Sequence, residues 1–293
     1  MPAAGSIDSR SRDDDAWVIA PAAGPGILGR IEEIWRYRRT IWFFAVRSVQ
    51  ALYRKTVLGP IWIPIRVLVP LVVGSLVYGQ VMNVDSGPYP YFLFFLVGST
   101  AFSFFDGPVI RGSRGLESNR GLVTRIYLPR IILPPSFMTA GLVEPAICLI
   151  VLAGAVGYYR VTEDVWYVAF DARLLVAAAA AAQAWLLAAG VTMFTSIWQA
   201  RARDFRYLIR YAMAFWLVLT PVIYGIDALP EAVRPYAAFN PMTGPVLAFK
   251  WGILGTAAFP AWELAVSGAL TAVTLVAGVW YFTRAENAAA DSL

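Results

Sequence analysis

The chain has 293 residues, of which 59% are hydrophobic and 15% charged, against about 25% charged in an average soluble protein. That balance points to a polytopic membrane protein. The net charge of +5 gathers beside long apolar runs, which positive-inside topology and anionic headgroups account for without a nucleic-acid partner. There is no histidine and a single cysteine, Cys148, so histidine acid–base catalysis, Ser-His-Asp triads, histidine-ligated metals and intrachain disulfides are all excluded.

Residues 1–26 are polar and then Gly/Pro/Ala-rich, with no charged lead into an apolar core, and are expected to form a disordered tail rather than a cleaved signal. Residues 27–56 interleave apolar positions at helical spacing with seven basic residues and many aromatics. This predicts an interfacial amphipathic helix. Its arginines Arg36, Arg38 and Arg39 suit a membrane anchor, and equally a cytoplasmic entrance where they meet an anionic lipid head or a pyrophosphate.

Apolar runs long enough to cross a bilayer fall at 61–80, 91–110, 132–157, 174–198, 207–225 and 262–282, giving six expected spans. Lys and Arg number nine before residue 61, five after span two, three after span four and one in the tail. The alternate loops carry none, two and two, which places both termini in the cytoplasm. Between spans five and six, residues 226–261 hold Pro230, Pro235, Pro241, Pro245 and Pro260. Their apolar pieces are too short to cross, so short helices dipping into the outer face are expected. Residues 286–293 form a C-terminal tail.

The loop 111–130, RGSRGLESNRGLVTRIYLPR, has five arginines and one acid, Glu117. It is an inside loop with a helix-length middle. Neither lysine stands in a P-loop, since Lys55 and Lys250 follow Arg and Phe, so any ATP must be bound by another chain. This loop is then the docking element, with Arg114, Glu117, Arg120 and Arg125 as rim charges and Leu116, Leu122, Val123 and Ile126 as an apolar face. An ordinary positive-inside loop would look the same.

Aromatics recur along single helical faces: Tyr91, Phe95, Phe102 and Phe105 in span two, and Tyr207, Tyr211 and Phe215 in span five. Sugar rings stack on such faces and slide along them, but lipid-facing and helix-packing positions also accept these residues. Arg66, four residues after Trp62, faces an aqueous path or snorkels to the interface. Asp106 and Glu144, near the cytoplasmic ends of spans two and three, suit pairing with nearby arginines. The acids Asp204 and Glu286 are isolated, which disfavours a membrane-embedded glycan-processing enzyme.

The segments YRKTVLGPIW (53–62), RGSRGLESNRGLVTRIYLPRIILP (111–134), RDFRY (203–207), TPVIYGIDALPE (220–231) and FNPMTG (239–244) resemble the transmembrane subunit of ABC-2-type polysaccharide exporters. That family moves O-antigen, capsule or teichoic-acid chains. The matches run in order from about residue 30 to the last span. The resemblance implies an all-α fold and an ABC-2-type transmembrane domain over 27–285. It implies a homodimer of six-span permeases in the bacterial inner membrane, paired with two copies of a separate ATPase that binds ATP and magnesium, this chain binding no cofactor. A coupling helix falls near Ser113 to Tyr127, including Arg114, Glu117, Arg120, Leu122 and Arg125. Outer gate helices fall within Asp227 to Phe259, with Tyr224, Pro230 and Pro241 at the gate. Trp62, Arg66, Phe102, Phe105, Tyr211 and Phe215 are the expected path for a lipid-linked glycan. An exporter of a drug or small lipid is the alternative.

Overall fold

A computed structural model describes residues 27–53, 61–118, 129–168, 170–256 and 258–291. Every long element among them is helical. The described residues begin with two helices, α1 (Ile27–Arg36) and α2 (Arg38–Tyr53), broken at Tyr37. There follow α3 (Trp62–Gly74), which continues as a π-helix over Ser75–Val81, then α4 (Tyr91–Gly112) and the single turn α5 (Gly115–Ser118). Next come α6 (Leu133–Ala140), α7 (Val143–Glu163), α8 (Arg173–Arg201) and α9 (Phe205–Leu219). The chain closes with α10 (Arg234–Ala237), α11 (Thr243–Leu254) and α12 (Ala261–Asp291).

Among the described residues, five stretches are long and apolar enough to cross a membrane: Pro64–Val81, Tyr91–Gly112, Arg130–Glu163, Arg173–Arg201 and Ala261–Ala285. The expected fifth span at 207–225 is the exception to the sequence pattern. Its helix, α9, has 15 residues, about 22 Å at 1.5 Å per residue, short of a ~30 Å hydrocarbon core. Pro221 is the reason: it pushes Thr220 into extended backbone, with φ −92° and ψ 142°, and the helix stops there although the apolar run goes on. Within 226–261, where short helices dipping into the outer face are expected, α11 is buried along most of its length between α4, α8 and α12.

α8 is the hub, packed by α4, α11 and α12. Its alanine-rich face, Ala177, Ala180, Ala184 and Ala188, is buried and lets neighbours approach closely. Closest of all is its crossing with α12, where a Cβ on Gly278 would lie 2.4 Å from the Gly190 carbonyl oxygen. The 130–163 span breaks at Gly141, whose absent Cβ would sit 2.6 Å from the Pro108 backbone of α4. A second, smaller core gathers Ile41 of α2, Leu116 of α5, Ile131 to Leu133, Ile197 of α8 and Phe282 of α12.

Not every glycine is a contact. Gly154 and Gly157 of α7 have open space where a Cβ would stand. Gly154→Ala and Gly157→Ala are expected to raise stability by up to about 1 kcal/mol each, by restricting the unfolded chain. Gly278→Ala should lower it by about 1–3 kcal/mol through overpacking. Thermal unfolding in detergent measures all three, and a loss at Gly157 equal to that at Gly278 would contradict the packing described.

Candidate functional site

The end of α4 is fixed from several sides. Ser113 Oγ bonds the Val109 carbonyl at 2.6 Å and shares a 2.7 Å hydrogen bond with Thr195 Oγ1 of α8. Gly112 permits this approach, since its Cβ would lie 2.5 Å from Thr192 Cγ2. The α5 turn that follows is anchored through Glu117, whose Oε2 accepts from Gln199 Nε2 at 2.6 Å. Its Oε1 lies 3.9 Å from Arg206 Nη2 at the start of α9. So Glu117, expected as a rim charge, faces inward and ties the loop to α8 and α9. Leu116 is buried as well, in the second core, and does not form part of an exposed apolar face. Arg120, Leu122, Val123, Arg125 and Ile126 lie outside the described residues.

Arg114 stands half-buried in the turn before α5. Burial lowers its pKa, and the Arg210, Arg206 and Arg111 guanidinia lower it further, with Glu117 opposing them. Arg206 and Arg210 are four residues apart and therefore share one face of α9.

Nearby, Glu144 of α7 joins three helices. Its Oε1 lies 3.1 Å from Arg111 Nη2 of α4 and 3.4 Å from Arg66 Nη2 of α3. The Arg111 side chain is 13% exposed and that of Arg66 is 65% exposed, so one guanidinium is interior and the other reaches outward. Gly107 makes room, as a Cβ there would lie 3.1 Å from Glu144 Oε2. The sequence singled out Arg66 and Glu144 and expected Glu144 to pair with nearby arginines, without saying which.

The aromatic stripes part company. Phe102 and Phe105 are buried, with rings 5.8 Å apart, and Phe105 meets Trp216 of α9 edge-on at 4.9 Å. Both are core residues of this bundle and line no open path within it. Tyr91 and Phe95 stack on one another, and Tyr91 also donates to the Ile223 carbonyl at 2.7 Å. Tyr211 and Phe215, by contrast, are 65% and 72% exposed, and Trp62 is open too. At the entrance helices, Arg36 and Arg39 are exposed, while Arg38 donates to the Trp35 carbonyl and lies over its ring at 5.2 Å.

Past α9, the chain turns back beside it. Tyr224 donates to the Val218 carbonyl at 3.3 Å. Asn240 Oδ1 accepts from Trp216 Nε1 at 2.8 Å, and its Nδ2 donates to Thr220 Oγ1 at 3.0 Å. Between them lies a groove of about 680 Å³ lined by Phe215, Trp216, Leu219, Tyr224, Tyr236 and Pro241. Pro230 lies at the head of the turn before α10, its carbonyl accepting from Val233 N at 2.8 Å. From Asn240, level with Trp216 and hence with Phe105 in the second half of α4, α11 runs back until the Leu254 carbonyl accepts from Tyr89 at 2.6 Å.

Sequence reasoning passed over two residues here. Asn240 stands in the quoted FNPMTG but was given no role. Lys250 was read only as a loop charge, yet it is buried with Nζ donating to the carbonyls of Pro221, Val222 and Tyr224 at 2.8, 2.9 and 3.4 Å. A lone lysine inside GPVLAFKWGIL was the available signal.

Comparison with known proteins bears on the whole of this region. The model of a family described as the ABC-2 type transporter matches residues 39–254. The chain is also similar to the O-antigen export system permease protein RfbA of Myxococcus xanthus, 25% identical over 227 residues that cover 75% of this chain and 82% of that protein.

Proposed function

This chain belongs to the ABC-2 type transporter family, and from that premise we propose that it is the permease subunit of an ATP-driven exporter of lipid-linked polysaccharide. The observation that carries the cargo is the likeness, along most of both chains, to a protein named as an O-antigen export permease. The cargo crosses the inner membrane of a bacterial cell. The permease works as a homodimer with two copies of a separate ATPase, which supplies the ATP and magnesium chemistry.

Several features support this arrangement. α3 and α9 leave apolar side chains without a partner, among them Val69, Val73, Tyr211 and Phe215. A second copy set against those faces would enclose Trp62, Arg66, Tyr211 and Phe215 in a shared route, with Phe102 and Phe105 supporting it from the core. The residues around 113–127 receive motion from the ATPase. Because Glu117 is bonded to α8 and close to Arg206 of α9, a push on that loop would reach both helices directly. At the other end, α11 and the turns before it, with Tyr224, Pro230 and Pro241, form a re-entrant outer gate. Both termini lie in the cytoplasm, α9 and the turn after it making a further crossing, since that stretch runs from Arg206 beside Glu117 to the Ile223 carbonyl on Tyr91 at the opposite end of α4.

Cells lacking the chain are expected to accumulate undelivered lipid-linked glycan on the cytoplasmic side, and the purified chain alone to hydrolyse no ATP. Glu117→Arg should reproduce the accumulation while the protein stays inserted. Normal surface glycan in cells lacking the chain, with a drug or small lipid retained instead, would replace the polysaccharide reading with the small-molecule one.

A further inference from the structure

α7 and α8 follow one another along the chain, and consecutive helices usually lie side by side. Here each packs mainly on other elements, α7 on α4 and α3, and α8 on α4, α11 and α12. Between them runs a trough of about 450 Å³. Leu142 and Leu149 stand along its α7 side and Ala178, Ala181 and Ala182 along its α8 side, with Phe104 of α4 and Phe249 and Ile253 of α11 at its floor. Small side chains keep it open. Ala178 and Ala182 are exposed one turn apart on α8 and present only methyl groups where larger residues would close the gap.

Position decides what can fill it. Phe104, Leu149 and the stretch 174–185 all belong to membrane-crossing segments, so the mouth opens on hydrocarbon. The lining is Phe, Leu, Ala and Ile, and its one polar side chain, Trp185, has Nε1 buried. Leu174 is the second residue of α8 and Ile253 the last but one of α11, so the trough begins at the membrane surface on that side. From Leu174 to Trp185 it extends about 16 Å at 1.5 Å per residue, half of a ~30 Å core. Spread over that length, 450 Å³ is a passage about 6 Å across, too narrow for a helix about 10 Å wide. We infer that the trough seats one acyl chain of a bilayer phospholipid. An empty groove forfeits dispersion contacts along its whole lining, and a flexible hydrocarbon chain restores them. The chain completes the packing of α11, meeting it at Phe249 and Ile253, on the same helix as Lys250. That α11 belongs to an outer gate, and that the leaflet is the outer one, rest on the reading above. The acyl site does not.

The test puts the full chain in vesicles of palmitoyl-oleoyl phosphatidylethanolamine that carry some of this lipid with a photoreactive group midway along one acyl chain. Adducts are mapped by peptide mass spectrometry. They are expected at Phe249 or Ile253, which are 3% and 8% exposed and out of reach of lipid that merely surrounds the protein. Adducts confined to exposed positions such as Val273 and Val276 of α12 overturn the inference. Retention is the second measure. In an eight-carbon detergent, native mass spectrometry should show one palmitoyl-oleoyl phospholipid held per chain, and the dioctanoyl form held at least about tenfold more weakly, because a short chain leaves the deep end empty. Ala178→Phe combined with Ala182→Phe plugs the trough and should lower retention about tenfold or more, whereas Val273→Phe combined with Val276→Phe should not. Lipid removal should also lower the unfolding temperature of the wild-type chain more than that of the plugged one. Equal retention of both lipids would make this a headgroup contact. A plug that changes the oligomeric mass and not the lipid count would give the face to a second copy. Either result, or indifference to the plug, overturns the inference. Adducts on the trough floor, with normal surface glycan in cells lacking the chain, would keep the acyl site and remove the export reading.

Discussion

Glu144→Ala is expected to destabilise the protein by about 3–5 kcal/mol, the usual cost of stripping one partner from a buried ion pair. The loss falls on Arg111, whose guanidinium is 13% exposed and 3.1 Å from the carboxylate, and whose Nε already lacks an acceptor. With Glu144 gone, Arg111 loses the carboxylate it is paired with, and the buried Asp106 carboxyl is the charge left to act on it. Arg66 sits on the other side of the same oxygen at 3.4 Å but is largely exposed on α3. Its removal leaves Glu144 still paired with Arg111, so Arg66→Ala should cost no more than about 1 kcal/mol. Glu144→Gln should fall between, keeping an acceptor and losing the charge. Unfolding midpoints in detergent for the three variants decide it. Equal losses at Arg66 and Glu144, or none at Glu144, would mean that the carboxylate does not hold these helices together. If Arg66→Ala then blocks export in a fully folded protein, the arginine acts on cargo and Glu144 merely parks it between cycles.

The sequence carried the spans well where length and composition decide, because a bilayer sets a fixed minimum on an apolar helix. At α9 it overran the helix, because hydropathy averages over a window, whereas Pro221 acts at a single peptide through the backbone of Thr220. The aromatic stripe on α4 shows a different limit. Its periodicity is real, but in an apolar solvent the buried and exposed faces of a helix accept the same side chains. Nothing in the spacing of Phe102 and Phe105 could distinguish a core face from a channel face; burial against Trp216 does.

Charges were legible one by one and illegible as sets. Arg66 and Glu144 each stood out against an apolar background, yet which arginine meets which carboxylate depends on how α3, α4 and α7 cross. Glu117 was read as outward-facing because loop charges usually meet water, and its partner Gln199 gave no signal inside a long apolar helix. Lys250 was counted among the loop residues for a related reason: proline density on both sides hid a short helix that is buried along most of its length.

Lys250→Ala is accordingly expected to be among the most damaging single changes outside the ion-pair cluster. The ammonium bonds three main-chain carbonyls in the turn after α9 and lies 3.6 Å from the centroid of the Phe94 ring. Gly98 admits the arm, as a Cβ there would lie 2.8 Å from Lys250 Cε and from the Val222 carbonyl oxygen. Truncation to alanine leaves those carbonyls facing a void, at about 1–3 kcal/mol for each unsatisfied group plus a cavity term, so a loss of about 4 kcal/mol or more follows. Lys250→Met separates the two contributions. It fills the space and spares the desolvation of a charge, so it should recover a good part of the stability while still failing to bond the turn. Protease sensitivity between Thr220 and Gly225, measured beside thermal unfolding, reports whether the turn has come loose. If the turn positions the outer gate, the methionine variant will fold, cut more readily there, and export poorly. Wild-type export with an intact turn in Lys250→Met would instead show that packing alone holds this end of α9, and that the three carbonyl bonds serve only to keep a buried ammonium solvated.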